Sequence, residues 1–541
     1  MTSQATILRY TGEPPPPRFN LAGYCLGRAA VATPDKTALL VIADADASLE
    51  AAERWTYGAL DEAARRVASG LLALGLAPGE RLMIRLPNTS DYALLFFGAI
   101  AAGIVPLAVS PQLTAGEADF LLADSGAGAV ALAGGLSAPI GAAPATKARI
   151  LDEDAIRRLK DSPPLPAYAD TSAEDPGFLV YTSGTSSHPK GVLHAQRSAW
   201  GRRPMYRGWS GMGPADIVLH AGAFNWSFTI GVGLTDPWAN GATAVLYNGP
   251  KDIQTWPKLI ARTRATLFAA VPSLYRQILK YCALAGGELA SLRHGLAAGE
   301  ALPAKLLAEW RARTGLEIYE SLGMSECSTY VSTCPGMAIR PGSAGKPQPG
   351  RAVAILPIEG EDEPLPAGET GLVAIHRDDP GLMLGYWHRP EEEKLVYRGR
   401  WFVGGDLGAY DQDGYLWFQG RADDLMNAGG YRVSPAEVEA ALADHPAIAE
   451  VAAAERNVRP DVSVIAAFVV LREGAPRDAA SILAQAEKRL AGYKRPREVV
   501  FLDSLPRSVN GKVLRRALRS MTVLAAGQPD STQPMRNPAH G

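Results

Sequence analysis

Cysteine is scarce in this sequence, and the few cysteines present show no chemically suggestive spacing. The 541 residues contain four, Cys25, Cys282, Cys327 and Cys334, and none of them forms a CxxC pair or another metal-like pattern. Small disulfide-stabilised domains carry many cysteines at short intervals, whereas scattered single cysteines are typical of reducing compartments. The sequence therefore predicts free thiols and a cytoplasmic location.

An excess of charge, a signal pattern and an uninterrupted apolar span are also lacking. The formal charge is −2, and the first twenty residues have no charged-then-apolar leader pattern. The uncharged stretch 92–109 approaches the length of a membrane span, but Gly103 and Pro106 interrupt it. It predicts a buried helix followed by a buried strand. We therefore expect neither a nucleic-acid partner nor a membrane span.

Two common catalytic motifs are missing. Lys190 lies between Pro189 and Gly191, whereas a Walker A loop requires Gly before its lysine and Ser or Thr after it. The segment "GMSEC" ends at Cys327 where a nucleophile elbow requires Gly. The sequence thus predicts neither a P-loop NTPase nor a serine hydrolase.

What is present is an alternation of helix-like and strand-like segments over the first four hundred residues. Residues 60–75 have helical spacing and end at a glycine, and residues 81–87 form an apolar strand pattern. Such alternation is typical of layered α/β architecture with buried sheets. The predicted fold class is α/β, with a large amino-terminal domain of several subdomains.

The pattern changes near residue 420 to that of a small α+β domain. Pro435 marks a helix start, with Ser434 as its expected cap and Glu437 completing a capping box. Residues 462–471 predict a strand, and residues 479–493 predict a helix.

These patterns give three predicted regions. They are an amino-terminal domain over 1–422, a mobile carboxy-terminal domain over 423–521 and a polar, disordered tail over 522–541.

The segment "YTSGTSSHPKG", residues 181–191, combines hydroxyl side chains with glycine and lysine. An apolar strand pattern ends at Tyr181, and a second regular element follows the loop. Gly184 permits close backbone approach, and Lys190 adds a positive charge, so the loop suits a polyphosphate. The motif alone leaves an ordinary surface loop as an equal alternative.

Four more residues, in three further segments, favour the same kind of ligand. Glu326 ends the strand-like "YESLGMSE", where a carboxylate can hold Mg²⁺ against phosphates. Asp406 follows a glycine pair and suits two ribose hydroxyls, and Arg421 suits ribose or phosphate oxygens. Lys512 lies on a glycine-led turn in "PRSVNGKVLRR".

Together these motifs resemble the adenylate-forming superfamily of acyl-CoA synthetases, stand-alone adenylation enzymes and luciferases. The resemblance runs from "RWTYGALDEAARRVASGL" to "NGKVLRRALR" and is nearest to benzoate and 2-aminobenzoate CoA ligases and to medium-chain acyl-CoA synthetases. It implies two half-reactions, in which a carboxylate and ATP give acyl-AMP and pyrophosphate, and a thiol such as coenzyme A then takes the acyl group.

The resemblance also implies roles for individual residues. Lys512, Glu326 and Thr185 match catalytic positions, Glu326 matches the Mg²⁺-associated acid, and Asp423 matches the hinge. The implied coenzyme A contacts are Gly429, Gly430 and Tyr431. The implied ATP and AMP contacts are Thr182, Ser183, Gly184, Thr185, Ser186, Lys190, Gly299, Glu300, Ser321, Leu322, Gly323, Met324, Ser325, Asp406, Arg421 and Lys512.

The sequence departs from the usual family pattern at two places. Ser187 replaces a glycine of the loop, which adds a Cβ where the backbone can require positive φ. Leu322 stands where many members have a tyrosine, and an aliphatic residue at this place resembles the benzoate and 2-aminobenzoate CoA ligases.

The resemblance places the acid pocket around the segment after "VLHAGAF". The implied pocket residues are Phe224, Asn225, Trp226, Phe228, Ala297, Ala298 and Gly323. Trp226 is the expected wall, since a large flat ring can close a short pocket. The alternative interpretation is that Phe224, Trp226 and Phe228 belong to the core.

These features predict an ATP-dependent acid–CoA ligase for a compact acid, with an aromatic acid favoured. Three alternatives stay open: a short- or medium-chain acyl-CoA synthetase, an adenylating enzyme that loads a carrier protein, and a non-catalytic nucleotide-binding homologue. The implied co-substrates are ATP, Mg²⁺ and coenzyme A. The lysine motif also predicts a lysine acetyltransferase acting at Lys512, and a homodimer is one alternative for the oligomeric state.

Overall fold

The structure is a computed structural model that describes residues 9–136, 148–182, 189–284, 287–424, 426–428, 431–459, 462–507 and 513–521. The chain divides into two compact units, one ending at Phe418 and the other beginning at Gln419. The predicted α/β class, with a large amino-terminal and a small carboxy-terminal domain, is confirmed. The three region boundaries and the mobility of the small domain stay predictions, and the tail from residue 522 lies outside the described residues.

The larger unit alternates strands with helices, as the sequence predicts. Its strands are β1 (Thr37–Ile42), β2 (Glu53–Thr56), β3 (Arg81–Arg85), β4 (Val105–Ala108), β5 (Ala129–Leu132), β6 (Arg149–Leu151), β7 (Pro176–Thr182), β8 (Lys190–Ala195), β9 (Ile217–His220), β10 (Thr243–Tyr247), β11 (Leu267–Ala270), β12 (His294–Ala298), β13 (Ile318–Met324), β14 (Ser328–Ser332), β15 (Lys346–Pro347), β16 (Val353–Leu356), β17 (Gly371–His376), β18 (Gly385–Tyr386), β19 (Tyr397–Arg398), β20 (Trp401–Tyr410) and β21 (Leu416–Arg421), which runs across the division between the units.

Helices connect most of these strands. The α-helices are α1 (Arg28–Ala32), α2 (Tyr57–Ala73), α3 (Ser90–Ala101), α4 (Ala115–Ser125), α5 (Glu153–Lys160), α6 (Arg203–Met205), α7 (Ser227–Ile230), α8 (Asp236–Ala239), α9 (Thr255–Thr263), α10 (Pro272–Tyr281), α11 (Ala304–Thr314) and α12 (Pro390–Leu395). Shorter 3₁₀ or π segments are Gly23–Gly27, Leu49–Ala51, Gln196–Arg202, Tyr206–Ser210 and Gly231–Thr235.

Within the described residues, the larger unit contains three sheets. Their strand orders are β15-β14-β13-β12-β11-β9-β10-β1-β2, β18-β8-β7-β4-β3-β5-β6 and β16-β17-β20-β19, with β21 paired to β20. In the first sheet, the neighbouring strands β13, β12, β11, β9 and β10 all run parallel to one another. Because parallel strands share a direction, the loops that follow β9, β11, β12 and β13 leave one edge of this sheet.

The apolar stretch 92–109 is buried, as predicted. Thr89 caps α3 by accepting a hydrogen bond from the Tyr92 backbone N–H, and β4 follows after Gly103 in the left-handed conformation. Every residue of α3 except Asp91 is buried. In the described part of the chain, no helix combines the length and apolar character that crossing a membrane would require.

The smaller unit has an α+β fold. Its elements are β22 (Met426–Ala428), β23 (Tyr431–Val433), α13 (Pro435–Leu442), β24 (Ile448–Arg459), β25 (Val462–Leu471), α14 (Ala479–Arg489), β26 (Glu498–Phe501) and α15 (Arg515–Ser520), with 3₁₀ turns at Ala422–Asp424 and Gly492–Lys494. The order β24-β25-β26 forms its main sheet. The predicted strand 462–471 is confirmed.

The predicted capping box is wrong. Helix α13 begins at Pro435 as expected, but the Ser434 hydroxyl donates to the Gln419 carbonyl instead of accepting from the first turn. Glu437 reaches Lys494, 2.5 Å away, and not the cap backbone. Both side chains bind residues that are distant in sequence, so neither caps the helix. Of the predicted start signals, proline is the one that holds.

Candidate active site

The predicted phosphate loop is held by a β-hairpin. Strands β7 and β8 are antiparallel, and Thr182 pairs with Lys190 at the point where the loop leaves and re-enters the sheet. The predicted loop residues Ser183, Gly184, Thr185 and Ser186 lie outside the described residues. The hairpin therefore fixes the two ends of the loop, Thr182 and Lys190.

Lys190 and Glu326 approach the same tyrosine. The Tyr386 hydroxyl donates to Glu326 Oε1 at 2.8 Å, and Lys190 Nζ lies 5.3 Å from the centre of the Tyr386 ring. Strand β18 pairs with β8, which places Tyr386 opposite Val192. Tyr386 thus connects Lys190 and Glu326, which are far apart in sequence. Sequence analysis did not identify Tyr386.

Lys190 already has an acidic partner. Its ammonium forms an ion pair with Glu392 while it faces the Tyr386 ring. Binding of a phosphate at Lys190 would therefore replace or share this ion pair. A cation and a carboxylate that approach the same tyrosine suit a polyphosphate with its associated cation.

Strand β13 carries the next group of predicted nucleotide contacts. The buried Ser321 hydroxyl donates to the Val331 carbonyl at 2.9 Å, so it is engaged by the neighbouring strand. The register shifts at Leu322 and Gly323, where a Cβ on Gly323 would lie 2.5 Å from the Ser328 carbonyl oxygen. Only glycine fits this bulge, which brings β13 close to β14.

A buried histidine fixes the backbone just before Glu326. His194 Nε2 donates to the Ser325 carbonyl at 2.8 Å, and the imidazole stacks on Phe178 with 4.5 Å between ring centres. Burial lowers the pKa of His194 to about 4, which keeps the ring neutral at physiological pH. Met324 packs against Gly404 on the other side of this turn.

Asp406 is buried on β20. The Tyr330 hydroxyl donates to its Oδ2 atom at 3.1 Å, which orients the carboxylate. Within the smaller unit, Arg421 ends β21 and Asp423 lies in a 3₁₀ turn. Of the predicted coenzyme A contacts, Tyr431 begins β23, and Gly429 and Gly430 lie outside the described residues, as does Lys512.

Trp226 forms an aromatic wall at the carboxyl edge of the first sheet. Gly299 has φ +91°, and a Cβ there would lie 2.5 Å from Trp226 Cη2. The Trp226 and Phe228 rings meet edge to face at 5.3 Å, and Ala298 packs in the same apolar cluster. Glycine at 299 therefore lets the indole lie directly against the backbone.

The other predicted pocket residues do not all pack in one cluster. Phe224 is buried and stacks on Tyr92 at 4.9 Å, and Tyr92 also donates to the Phe224 carbonyl at 2.7 Å. Asn225 is half-buried. Ala297 packs in a separate cluster from Ala298, since adjacent strand residues face opposite sides of a sheet.

Glu300 follows Gly299 at the same edge. Ser273 Oγ donates to Glu300 Oε1 at 3.3 Å, which joins the start of α10 to the turn after β12.

Sequence analysis also missed His220, the last residue of β9. Its Nδ1 accepts from the Gly222 N–H at 2.9 Å, and its ring meets Phe228 at 4.5 Å. Burial, with a smaller effect of Lys251, lowers the pKa of His220 to about 3. The only signal in the sequence was a polar residue that ends an apolar strand.

The donor set around Glu326 fits a cation that arrives with ATP. Across the described ranges, no group of three or more His, Cys, Asp or Glu side chains is arranged to hold a metal ion. Mg²⁺ is commonly held by one or two carboxylates together with substrate phosphates. Glu326 would supply the carboxylate of such an arrangement.

Comparison with known proteins defines the class to which this fold and site belong. Residues 26–387 match the AMP-binding enzyme family, and residues 437–512 match the AMP-binding enzyme C-terminal domain. The chain belongs to the AMP-binding enzyme family, and its relatives are acyl-CoA synthetases.

Among these relatives is the mitochondrial acyl-coenzyme A synthetase ACSM5 of Homo sapiens, 32% identical over 86% of this chain and 84% of its own length. The anthranilate CoA ligase AuaEII, solved with anthranoyl-AMP, has a TM-score of 0.83 at 29% identity, with 94% of this chain and 98% of that one covered. A benzoate CoA ligase from Burkholderia xenovorans LB400 has a TM-score of 0.83 at 30% identity, with 93% and 100% covered.

Proposed function

We propose that this chain joins a compact aromatic carboxylic acid to coenzyme A in two ATP-dependent steps. A carboxylate oxygen attacks the α-phosphorus of ATP, and the bond to the leaving pyrophosphate breaks to give acyl-AMP. The coenzyme A thiolate then attacks the acyl carbon, and AMP leaves with the electron pair of the acyl–oxygen bond. The products are acyl-CoA and AMP.

The position of Trp226 carries the aromatic part of the proposal. Its indole lies against Gly299 and edge to face with Phe228, which makes a flat, rigid wall beside a backbone turn. Flat rings pack well against such walls. The predicted pocket residues Phe224, Asn225, Trp226, Phe228, Ala297, Ala298 and Gly323 include no cation, which favours an uncharged acid tail.

The first step joins two anions, so it requires positive charge where they meet. Mg²⁺ bound with ATP would supply part of this charge, with Glu326 as its protein ligand. Lys190 would hold phosphate oxygens at the base of the loop, and Asp406 would bind the ribose hydroxyls. Lys512 enters the proposal from sequence alone, as the residue that bridges the carboxylate and the α-phosphate.

A panel of acids tests the proposal. Pyrophosphate release and acyl-CoA formation are measured with ATP and Mg²⁺, with and without coenzyme A. The acids are benzoate, 2-aminobenzoate, cyclohexanecarboxylate and straight chains of increasing length. We expect release with ring acids and acyl-CoA only when coenzyme A is added.

The other outcomes separate the alternatives. A preference for straight chains would assign an aliphatic acyl-CoA synthetase. Acyl-AMP formation without any acyl-CoA would indicate a carrier-protein acceptor. ATP binding without turnover of any acid would contradict catalysis.

A variant separates the two half-reactions. Lys512→Gln is expected to abolish acyl-AMP formation and to leave thioester formation from supplied acyl-AMP largely intact. The matched control is Lys488→Gln on the exposed face of α14, which should change neither step. Equal loss of both steps in Lys512→Gln would contradict the assigned role. Acetylation of Lys512 would be expected to act in the same way.

The remaining predictions concern location and assembly. A cytoplasmic location and a homodimer both stay predictions, and the relative ACSM5 is named as a mitochondrial protein. Fractionation of the native cells and light scattering of the purified chain would test them.

A further inference from the structure

A cavity lies in the larger unit, away from the candidate active site. Its volume is about 710 Å³, and its lining includes Tyr10, Tyr24, Arg28, Arg203 and Arg207. This volume lies within the range of about 300–1,000 Å³ that is usual for small-molecule sites.

The topology separates this cavity from the candidate active site. The lining residues Pro214 and Asn240 lie three positions before the first residues of β9 and β10, so the cavity lies at the amino ends of these strands. Trp226 and Gly299 follow the carboxyl ends of β9 and β12. A strand the length of β9 separates two such edges by roughly 13 Å.

The cavity carries net positive charge. Three arginines line it, and Glu13 is the acidic residue of the lining, which leaves a formal charge of +2. Arg203 pairs with Glu13 at 2.7 Å, and Arg28 donates to the carbonyls of Tyr24 and Ala239 at 3.1 and 3.0 Å. Arg207 is exposed and forms no ion pair or hydrogen bond with any described residue.

Aromatic rings hold two of these guanidinium groups in place. The Arg28 guanidinium lies 4.2 Å from the Tyr24 ring centre, and that of Arg203 lies 4.0 Å from the Trp200 ring centre. Guanidinium planes and aromatic rings both stack on planar ligands. The cavity therefore offers flat surfaces as well as charge.

Two phenol groups add hydrogen-bond donors. The hydroxyls of Tyr10 and Tyr24 form no hydrogen bond with the described part of the chain. Burial raises the pKa of Tyr24 to about 12 and raises that of Tyr10, so both hydroxyls keep their protons at physiological pH. Neutral O–H groups and an unpaired guanidinium that line one cavity suit the oxygens of an anion.

We propose that this cavity is a second ligand site that binds a nucleoside monophosphate. The phosphate, with a charge close to −2, would take hydrogen bonds from Arg207, Tyr10 and Tyr24. The base would stack among the aromatic rings and guanidinium planes. Inorganic phosphate would fill only a small part of the cavity, and an uncharged nucleoside would leave its charge unmatched.

Equilibrium dialysis of the full chain with labelled AMP tests the proposal, because it counts bound molecules. The wild type is expected to bind one more AMP per chain than the Arg207→Glu variant. Tyr24→Phe should weaken the second site at least tenfold, since it removes one donor and keeps the ring. Arg276→Glu, on an exposed and unpaired arginine of the described chain, is the matched control and should bind like the wild type.

Competition and activity complete the test. Excess adenosine and excess inorganic phosphate should each displace the second AMP far less well than unlabelled AMP does. Equal AMP stoichiometry in the wild type, Arg207→Glu and Tyr24→Phe would overturn the proposal, and so would full displacement by phosphate alone. Acid-dependent pyrophosphate release is measured on the same samples, so a failure of the second site is distinguished from a failure of the proposed ligase function.

Discussion

At the scale of single residues, the candidate site depends on a few close contacts. Gly299 is in the left-handed region and lies directly beneath the Trp226 indole. Tyr386 connects Lys190 with Glu326, and His194 holds the turn that precedes Glu326. Each contact predicts a separate measurable effect.

Gly299→Ala is expected to destabilise the protein more than an ordinary substitution at positive φ. A left-handed alanine costs about 1–2 kcal/mol, and the clash with Trp226 adds about 1–3 kcal/mol. Gly315→Ala is the matched control, because Gly315 has φ +71° with no described atom within 4 Å of the new Cβ. Urea unfolding should show the larger loss at 299, and equal losses would show that the indole does not press on Gly299.

Tyr386→Phe is expected to lower kcat/KM for ATP about tenfold. The variant keeps the ring beneath Lys190 but loses a hydrogen bond to a charged group, which is worth about 1.5–3 kcal/mol. Tyr410→Phe is the control, since the Tyr410 hydroxyl donates to the Val353 carbonyl at 3.0 Å, away from the predicted ATP contacts. Steady-state kinetics with varied ATP check this, and unchanged kinetics for Tyr386→Phe would remove Tyr386 from the site.

His194 gives a prediction for pH dependence. Its pKa is lowered from 6.5 to about 4 by burial, so the unfolded chain binds the proton more readily than the folded one between these values. Stability from this residue is therefore present above pH 6.5 and falls by roughly 3 kcal/mol as pH drops towards 4. His194→Gln keeps a donor for the Ser325 carbonyl but cannot titrate.

Unfolding free energies at pH 7.5 and 4.5 check this difference. The wild type should lose more stability over this range than His194→Gln does. Parallel losses in the two proteins would contradict the assigned titration.

At the scale of elements, buried ion pairs join distant segments of the larger unit. Arg351 is fully buried, contacts Asp379 at 2.8 Å and donates to the Gly201 carbonyl at 2.6 Å. It thereby ties the segment after β8 to the turn that leads into β18. That turn positions Tyr386.

Arg351→Gln is expected to cost about 3–5 kcal/mol, because it leaves the Asp379 carboxylate buried without its cation. The double variant Arg351→Met/Asp379→Leu should recover much of that loss. Arg157→Ala is the surface control, since Arg157 and Asp154 are both more than half exposed, and it should change stability by less than about 1 kcal/mol. Urea unfolding of the three variants checks the order, and a double variant as unstable as Arg351→Gln would contradict it.

The sequence predicted those features that depend only on neighbouring residues. Strand β25 matches its predicted range, and α13 begins at the predicted proline because proline fixes φ and needs no N–H partner. The Ser434 cap was wrong because a distant carbonyl, that of Gln419, competes for the hydroxyl. Such competition depends on tertiary structure and leaves no mark in the local sequence.

The candidate site shows the same limit. Lys190, Glu326 and Asp406 lie in motifs whose residue types alone predict contacts with phosphate, Mg²⁺ and ribose. Tyr386 lies in a two-residue strand, and its role arises only because β18 pairs with β8. The sequence around His220 predicted only a strand end. Its burial and its contact with Phe228 depend on tertiary packing, which the local sequence does not predict.

At the scale of the whole molecule, the chain contains two units with separate cores. The larger unit supplies the hairpin loop, Glu326, Asp406 and the Trp226 wall, and the smaller unit contains Arg421, Asp423 and the predicted position of Lys512. The matches to the AMP-binding enzyme family and to its C-terminal domain fall on residues 26–387 and 437–512.

The measurement that tests the central claim most directly is isotope exchange between ATP and labelled pyrophosphate in the presence of benzoate. Coenzyme A is left out, so that only reversible acyl-AMP formation is followed. We predict exchange that depends on the acid, is faster with benzoate or 2-aminobenzoate than with straight-chain acids, and disappears in Lys512→Gln. No exchange with any acid, from a folded protein that still binds ATP, would contradict the account.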